Sequence, residues 1–168
     1  PGNEFVTGVN PTNNTVTISS GSGVLAGSTN TLTFRSLNGS SARANVLTGI
    51  TFNNDGGSSP TLTNTGVLYL NGSTITATSN NVGGASTASV STITGGSLDL
   101  LNAASMALSV APISFNGQSL AVYQPSLIIN SAIQNESNTI AVNGGGNLQL
   151  GGASTFTGGF TLASGTNL

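Results

Sequence analysis

Asp55 and Asp99 are the two residues whose type and spacing come nearest to a reaction. They stand 44 positions apart, which is two turns of a repeat of twenty-odd residues. In a stacked chain that spacing places two carboxylates on one face, on the order of 10 Å apart, near the separation held by inverting glycosidases. Such chemistry also needs neighbours that push the two carboxyl groups apart in acidity. The chain has no Lys and no His, and its only cations, Arg35 and Arg43, lie elsewhere in sequence. Plainer roles account for both acids. Asp55 precedes Gly56-Gly57 as a turn former, and Asp99 alternates with Leu98 and Leu100 as an outward, solvated strand position. No catalytic residue is assigned, and the chain is read as a non-enzyme.

Other chemistries fall for want of parts. Without Cys or His there are no zinc sites, reactive thiols or disulfides. Calcium needs several clustered oxygen ligands, and the four acids Glu4, Asp55, Asp99 and Glu136 are dispersed. The Gly-rich stretch Asn143–Gly146 lacks the Asp of a calcium-binding repeat and reads as a turn. No metal, cofactor or small-molecule substrate is expected. Two Arg cannot neutralise a row of phosphates, which removes nucleic acid as a partner. Tyr69 and Tyr123 are too few to form a carbohydrate-stacking platform, and Tyr69 is expected to point outward between two core leucines.

Two polar patterns are set against chance. Thr-x-Thr pairs at Thr31/Thr33, Thr61/Thr63, Thr74/Thr76, Thr92/Thr94 and Thr155/Thr157 suit the flat array of an ice-binding solenoid. Any Thr-rich strand yields such pairs, so no thermal hysteresis is expected. Acceptor sequons at Asn13, Asn38, Asn71 and Asn135 are no more frequent than 21 Asn among 47 Ser and Thr would produce by chance.

Gly, Ser, Thr and Asn fill 92 of the 168 positions, a composition that invites disorder. Disorder, however, goes with low hydrophobicity and high net charge. Here 36% of residues are hydrophobic, mean hydropathy is +0.18 and net charge is −2, so a folded chain is expected. Nothing approaches the run of about 20 apolar residues that spans a bilayer. The chain starts at Pro1 with neither a basic nor an apolar leader segment, so no signal peptide is expected within it.

The elements that position these residues are strands. Period-2 alternation recurs in Thr15–Ile18, Thr31–Phe34, Gly49–Phe52, Val67–Leu70, Ser73–Thr76, Ser91–Thr94, Ser97–Leu100, Leu127–Ile129, Thr139–Val142 and Asn147–Leu150. Each run is short and bounded by Gly, Asn or Ser, the pattern of an all-β chain. Asp99–Ala111 is the one helix candidate, yet Met106, Leu108 and Val110 alternate as in a strand. Gly-x-Leu-x-Leu appears at Gly66, Gly96 and Gly146, with looser copies at Gly117 and Gly165. Spacings of 19 to 30 residues predict one coil per copy in a parallel β-helix of six to seven coils, residues 1–168 forming one domain that is expected to be a fragment or processed part of a longer secreted protein. A β-sandwich is the alternative. In a stacked coil, columns of like charge would repel, whereas Asn, Ser and Thr bond to the coils above and below, which gives the composition its cause.

The segment Gly146–Leu168 resembles the autotransporter-associated β-strand repeat, also termed the passenger-associated transport repeat. The resemblance is carried by Gly146, Leu148 and Leu150, then Thr155-Phe156-Thr157-Gly158-Gly159, then Leu162 and Gly165. Ser154 stands where that family commonly has Asn, Phe156 where it has Tyr, and Phe160 where a small polar residue is common. The resemblance implies a right-handed parallel β-helix, secretion, and a passenger or stalk role at a bacterial cell surface, with no catalytic residues. Thr166, Asn167 and Leu168 would begin a further coil and so form an assembly edge, to be covered by a neighbouring subunit or by the rest of a longer polypeptide. The expected role is a structural module that self-associates into a filament, sheath or stalk. An adhesin, a polysaccharide-acting enzyme and an ice-binding solenoid are the alternatives.

Overall fold

The computed structural model describes residues 3–4, 15–20, 31–34, 45–54, 59–81, 90–101, 104, 106–115, 118–119 and 124–168. Asp55, Arg35, Arg43, Tyr123 and, apart from Gln118 and Ser119, the Gly117 copy of the repeat lie outside them. The described residues form sixteen strands and no helix. All strand pairs are parallel except Ser114–Phe115 with Gln118–Ser119. That pattern is a parallel solenoid and excludes the sandwich, whose hairpins pair antiparallel.

Three columns of strands define the stack. In the first, Leu32, Leu62, Ile93, Ile129 and Leu150 occupy equivalent positions on successive coils, at steps of 30, 31, 36 and 21 residues. In the second, Val16, Ile50, Ile75, Leu108, Val142 and Leu162 do the same. The third column is shorter, with Leu68, Leu98 and Ile133 in register. The strand Val67–Asn81 turns from the third column into the second. Described strands thus make six coils, and Asn167 opens a seventh by bridging to Asn147.

Alternation explains the core. Leu62, Ile93 and Ile129 of the first column and Ile50, Ile75, Leu108 and Val142 of the second are buried, as are Leu68, Leu98 and Ile133. Each such side chain gains about 1.5–3 kcal/mol on leaving water. Met106, Leu108 and Val110 are buried while Ala107 and Ser109 between them are half-exposed, so the strand reading of that segment holds. Tyr69 is half-buried between buried Leu68 and Leu70, as its place predicts.

Corners between columns are closed by polar side chains. Asn64 Nδ2 donates to the Gly66 carbonyl at 2.7 Å and, one coil on, to the Ser97 carbonyl at 3.0 Å. Gly96 turns this corner at φ +42°, and a Cβ there would run into the Gly66 carbonyl. Thr78 Oγ1 donates to the Phe52 carbonyl at 3.2 Å, again from coil to coil. Charge-free ladders of this kind are what the composition predicts.

One expectation about register is corrected. Leu68 and Leu98 stack as the Gly-x-Leu-x-Leu spacing requires, but Leu148 does not continue them. It lies in the first column, above Leu127 and Ser91. The motif marks any Leu-led strand that leaves a glycine corner, whichever column that strand enters. Three of the Thr-x-Thr pairs do stack: Thr31/Thr33, Thr61/Thr63 and Thr92/Thr94. Glu4 below and Ile128 above end that array after three coils.

Candidate functional site

The segment that carries the repeat motif is the last coil of the stack. Gly146 and Leu148 are buried and Leu150 is half-buried, which seats the coil on the core. From Gly151 to Gly159 the chain forms no strand, yet it is bonded down to the coil below. Ser154 Oγ accepts the Ile133 N–H at 3.1 Å, Thr155 N–H donates to the Ile133 carbonyl at 2.9 Å, and Thr157 N–H donates to the Glu136 carbonyl at 2.8 Å. Ser154 therefore does a backbone group's work. Thr155 and Thr157 point to solvent while Phe156 between them turns inward. Its ring meets that of Phe160 edge-on, centroids 5.1 Å apart at 77°, and both pack on the hydrophobic core. Gly158 passes so close to the Asn138 carbonyl that no Cβ fits, whereas Gly159 faces open space.

Thr166, Asn167 and Leu168 lie together at the outer end of the first column. Asn167 N–H donates to the Gly146 carbonyl at 3.2 Å, and its own carbonyl accepts the Leu148 N–H at 3.0 Å. Thr166 is buried, its Oγ1 accepting the Gly145 N–H at 3.0 Å. Gly165 sits above Gly145 at φ +78°. An open cleft of about 630 Å³ runs beside these residues, lined by Gln124, Pro125, Asn147, Leu148, Gln149, Asn167 and Leu168.

On the second column the last strand, Phe160–Leu162, pairs with Ile140–Asn143 on one side. Among the described residues no strand pairs with its other side. Leu162 continues a column whose described lower members are buried, but is itself 44% exposed, and Leu168 is 56% exposed. The repeat residues and residues 166–168 thus lie together in the last described layer.

A second cluster was not legible from sequence. Asp99 is 5% exposed, not the solvated residue its alternation predicts. Its Oδ1 accepts the Leu101 N–H at 2.9 Å and its Oδ2 accepts from Asn135 Nδ2 at 3.0 Å, because the next coil closes over it. One position after Asn135, Glu136 is 3% exposed. No group of three or more acidic, His or Cys residues gathers among the described residues, and no helix there is long and apolar enough to cross a membrane.

No protein-family model matches the chain. No curated protein matches it in sequence, and no solved structure matches it.

Proposed function

We propose that this chain is a secreted, non-enzymatic structural module that stacks end to end with further copies of itself, forming a filament, sheath or stalk at a cell surface. What supports this reading is the stack itself, whose described coils join through in-register parallel strands and charge-free polar ladders that a coil of a further copy can continue. A parallel edge with unpaired N–H and C=O groups is a template for another strand. Natural edges are blunted by Lys, Pro or inward charge, and Phe160-Thr161-Leu162 carries none of these. Net charge of −2 opposes association very little. Secretion and the surface setting rest on the repeat resemblance of Gly146–Leu168.

Sedimentation and electron micrographs over a range of concentrations test the reading. Concentration-dependent fibres with a strand repeat of about 4.8 Å along the axis are the expected result. A single monomeric rod at every concentration would overturn it and favour an adhesin that displays one loop.

A further inference from the structure

Asp99 and Glu136, far apart in sequence, are both buried on successive coils near one corner of the stack. Gln134 pairs in register with Asp99, and Asn135 Nδ2 is held by Asp99 Oδ2 at 3.0 Å. Asn135 takes φ +60°, a left-handed turn that brings Glu136 into the interior. Glu136 Oε1 accepts the Asn138 N–H at 2.8 Å. Its Oε2 is buried and meets no hydrogen-bond donor. A buried carboxylate oxygen is costly unless a donor or a positive charge meets it, and no Lys, Arg or His stands among the described residues to supply one.

Glu136 lines an open cleft of about 520 Å³ with Gln134, Asn135, Ser137, Thr155 and Thr157. Every one of these side chains carries oxygen, and none offers sulfur or imidazole. Oxygen-only donor sets suit hard cations. The cleft joins two coils: Gln134–Ser137 belong to the lower one, Thr155 and Thr157 to the last. Its upper wall is the segment without strand pairing, held through backbone bonds to Ile133 and Glu136.

We propose that this corner binds a calcium ion, with the Glu136 carboxylate as its anionic ligand and neutral side-chain oxygens, including those of Thr155 and Thr157, completing the shell. Calcium accepts six to eight oxygens in irregular geometry, whereas magnesium demands a near-ideal octahedron, so this mixed set selects the larger ion. A single carboxylate ligand places the affinity at roughly 10⁻⁴–10⁻³ M, the range of extracellular calcium modules. Asp99 is a positioning residue: both its oxygens are engaged, and it fixes Asn135 and so the turn that delivers Glu136. The ion would clip the last coil to the one beneath it. The inference stands apart from the assembly reading, since it concerns a contact within one chain.

Thermal unfolding of the whole chain in 0, 1 and 10 mM CaCl2, at constant ionic strength, tests it alongside terbium luminescence. The parent is expected to gain roughly 3–10 °C in Tm at 10 mM calcium, and to give a terbium signal that calcium displaces and magnesium displaces poorly. Glu136→Gln should abolish both responses, while Glu4→Gln keeps them. Should Glu136→Gln fail to fold, Thr157→Val, at an exposed site, should still weaken terbium binding severalfold. Asp99→Asn should weaken it by about tenfold, the usual effect of losing a residue that orients a ligand. A parent whose Tm ignores calcium, or a Glu136→Gln variant that responds like the parent, overturns the site; fibre formation is unaffected by either result.

Discussion

The side-chain amide of Asn167 donates to that of Asn147, one coil below, at 2.7 Å. Asn147 in turn donates through Nδ2 to the Gln124 carbonyl at 2.9 Å, so one residue ties its coil to the residues above and below it along the ladder. An asparagine ladder of this kind holds coils in register without charge, and it leaves Asn167 with an amide suited to an identical group above it.

Replacing Asn147 by Ala removes one partly buried and one exposed hydrogen bond and should cost about 0.5–2 kcal/mol. Urea unfolding followed by circular dichroism measures this directly. A midpoint unchanged from the parent would mean that the ladder decorates the stack without holding it.

Leu162 and Ile75 occupy the same column but differ in cover, and substitution should separate assembly from stability. Leu162→Lys changes an exposed position and should leave the unfolding free energy within about 0.5 kcal/mol of the parent. It should nevertheless abolish fibres, since a charge on the edge blunts strand addition. Ile75→Ala empties a fully buried site and should cost about 2–5 kcal/mol. Fibres that persist in Leu162→Lys would place the contact elsewhere.

How far the sequence foretold this structure depends on whether a feature is local. Thr61-Leu62-Thr63 and Ile140-Ala141-Val142 announce strands because alternation and β-branching act within a few residues. Register is not local. Coil lengths vary between 20 and 36 residues, so Gly66 and Gly96 fall on one column and Gly146 on another. Asp99 alternates outward as expected, yet outward is not solvated where Asn135 of the next coil closes over it. Glu136 gave no signal at all. Asn-Glu-Ser-Asn reads as a polar turn, and only the coil above, whose Thr157 and Gly158 N–H groups cap the Glu136 carbonyl, buries it.

The Gly158-Gly159 pair offers a sharper test of the motif, because its two members are not equivalent. A Cβ at Gly158 would collide with the Asn138 carbonyl, a backbone atom that cannot swing aside, whereas Gly159 has nothing within 4 Å. Gly158→Ala should therefore cost about 1–3 kcal/mol, as overpacking does. Gly159→Ala should lie within about 0.5 kcal/mol of the parent. Equal effects would show that the pair serves chain flexibility and not close approach.

Ser91 makes the opposite prediction, a gain. It stands in the first column beneath Leu127 and Leu148, fully buried, and its hydroxyl has no hydrogen-bond partner. Its backbone is served by the ladder, with the neighbouring Thr92 N–H bonded to the Pro60 carbonyl at 3.0 Å. The hydroxyl thus gave up water and received nothing in return. Ser91→Ala removes the orphaned group with little loss of volume and should raise stability by roughly 0.5–2 kcal/mol, seen as a later urea midpoint at unchanged slope. A midpoint that falls instead would mean that the oxygen is satisfied in solution by a trapped water, and the column would then be wet at this coil.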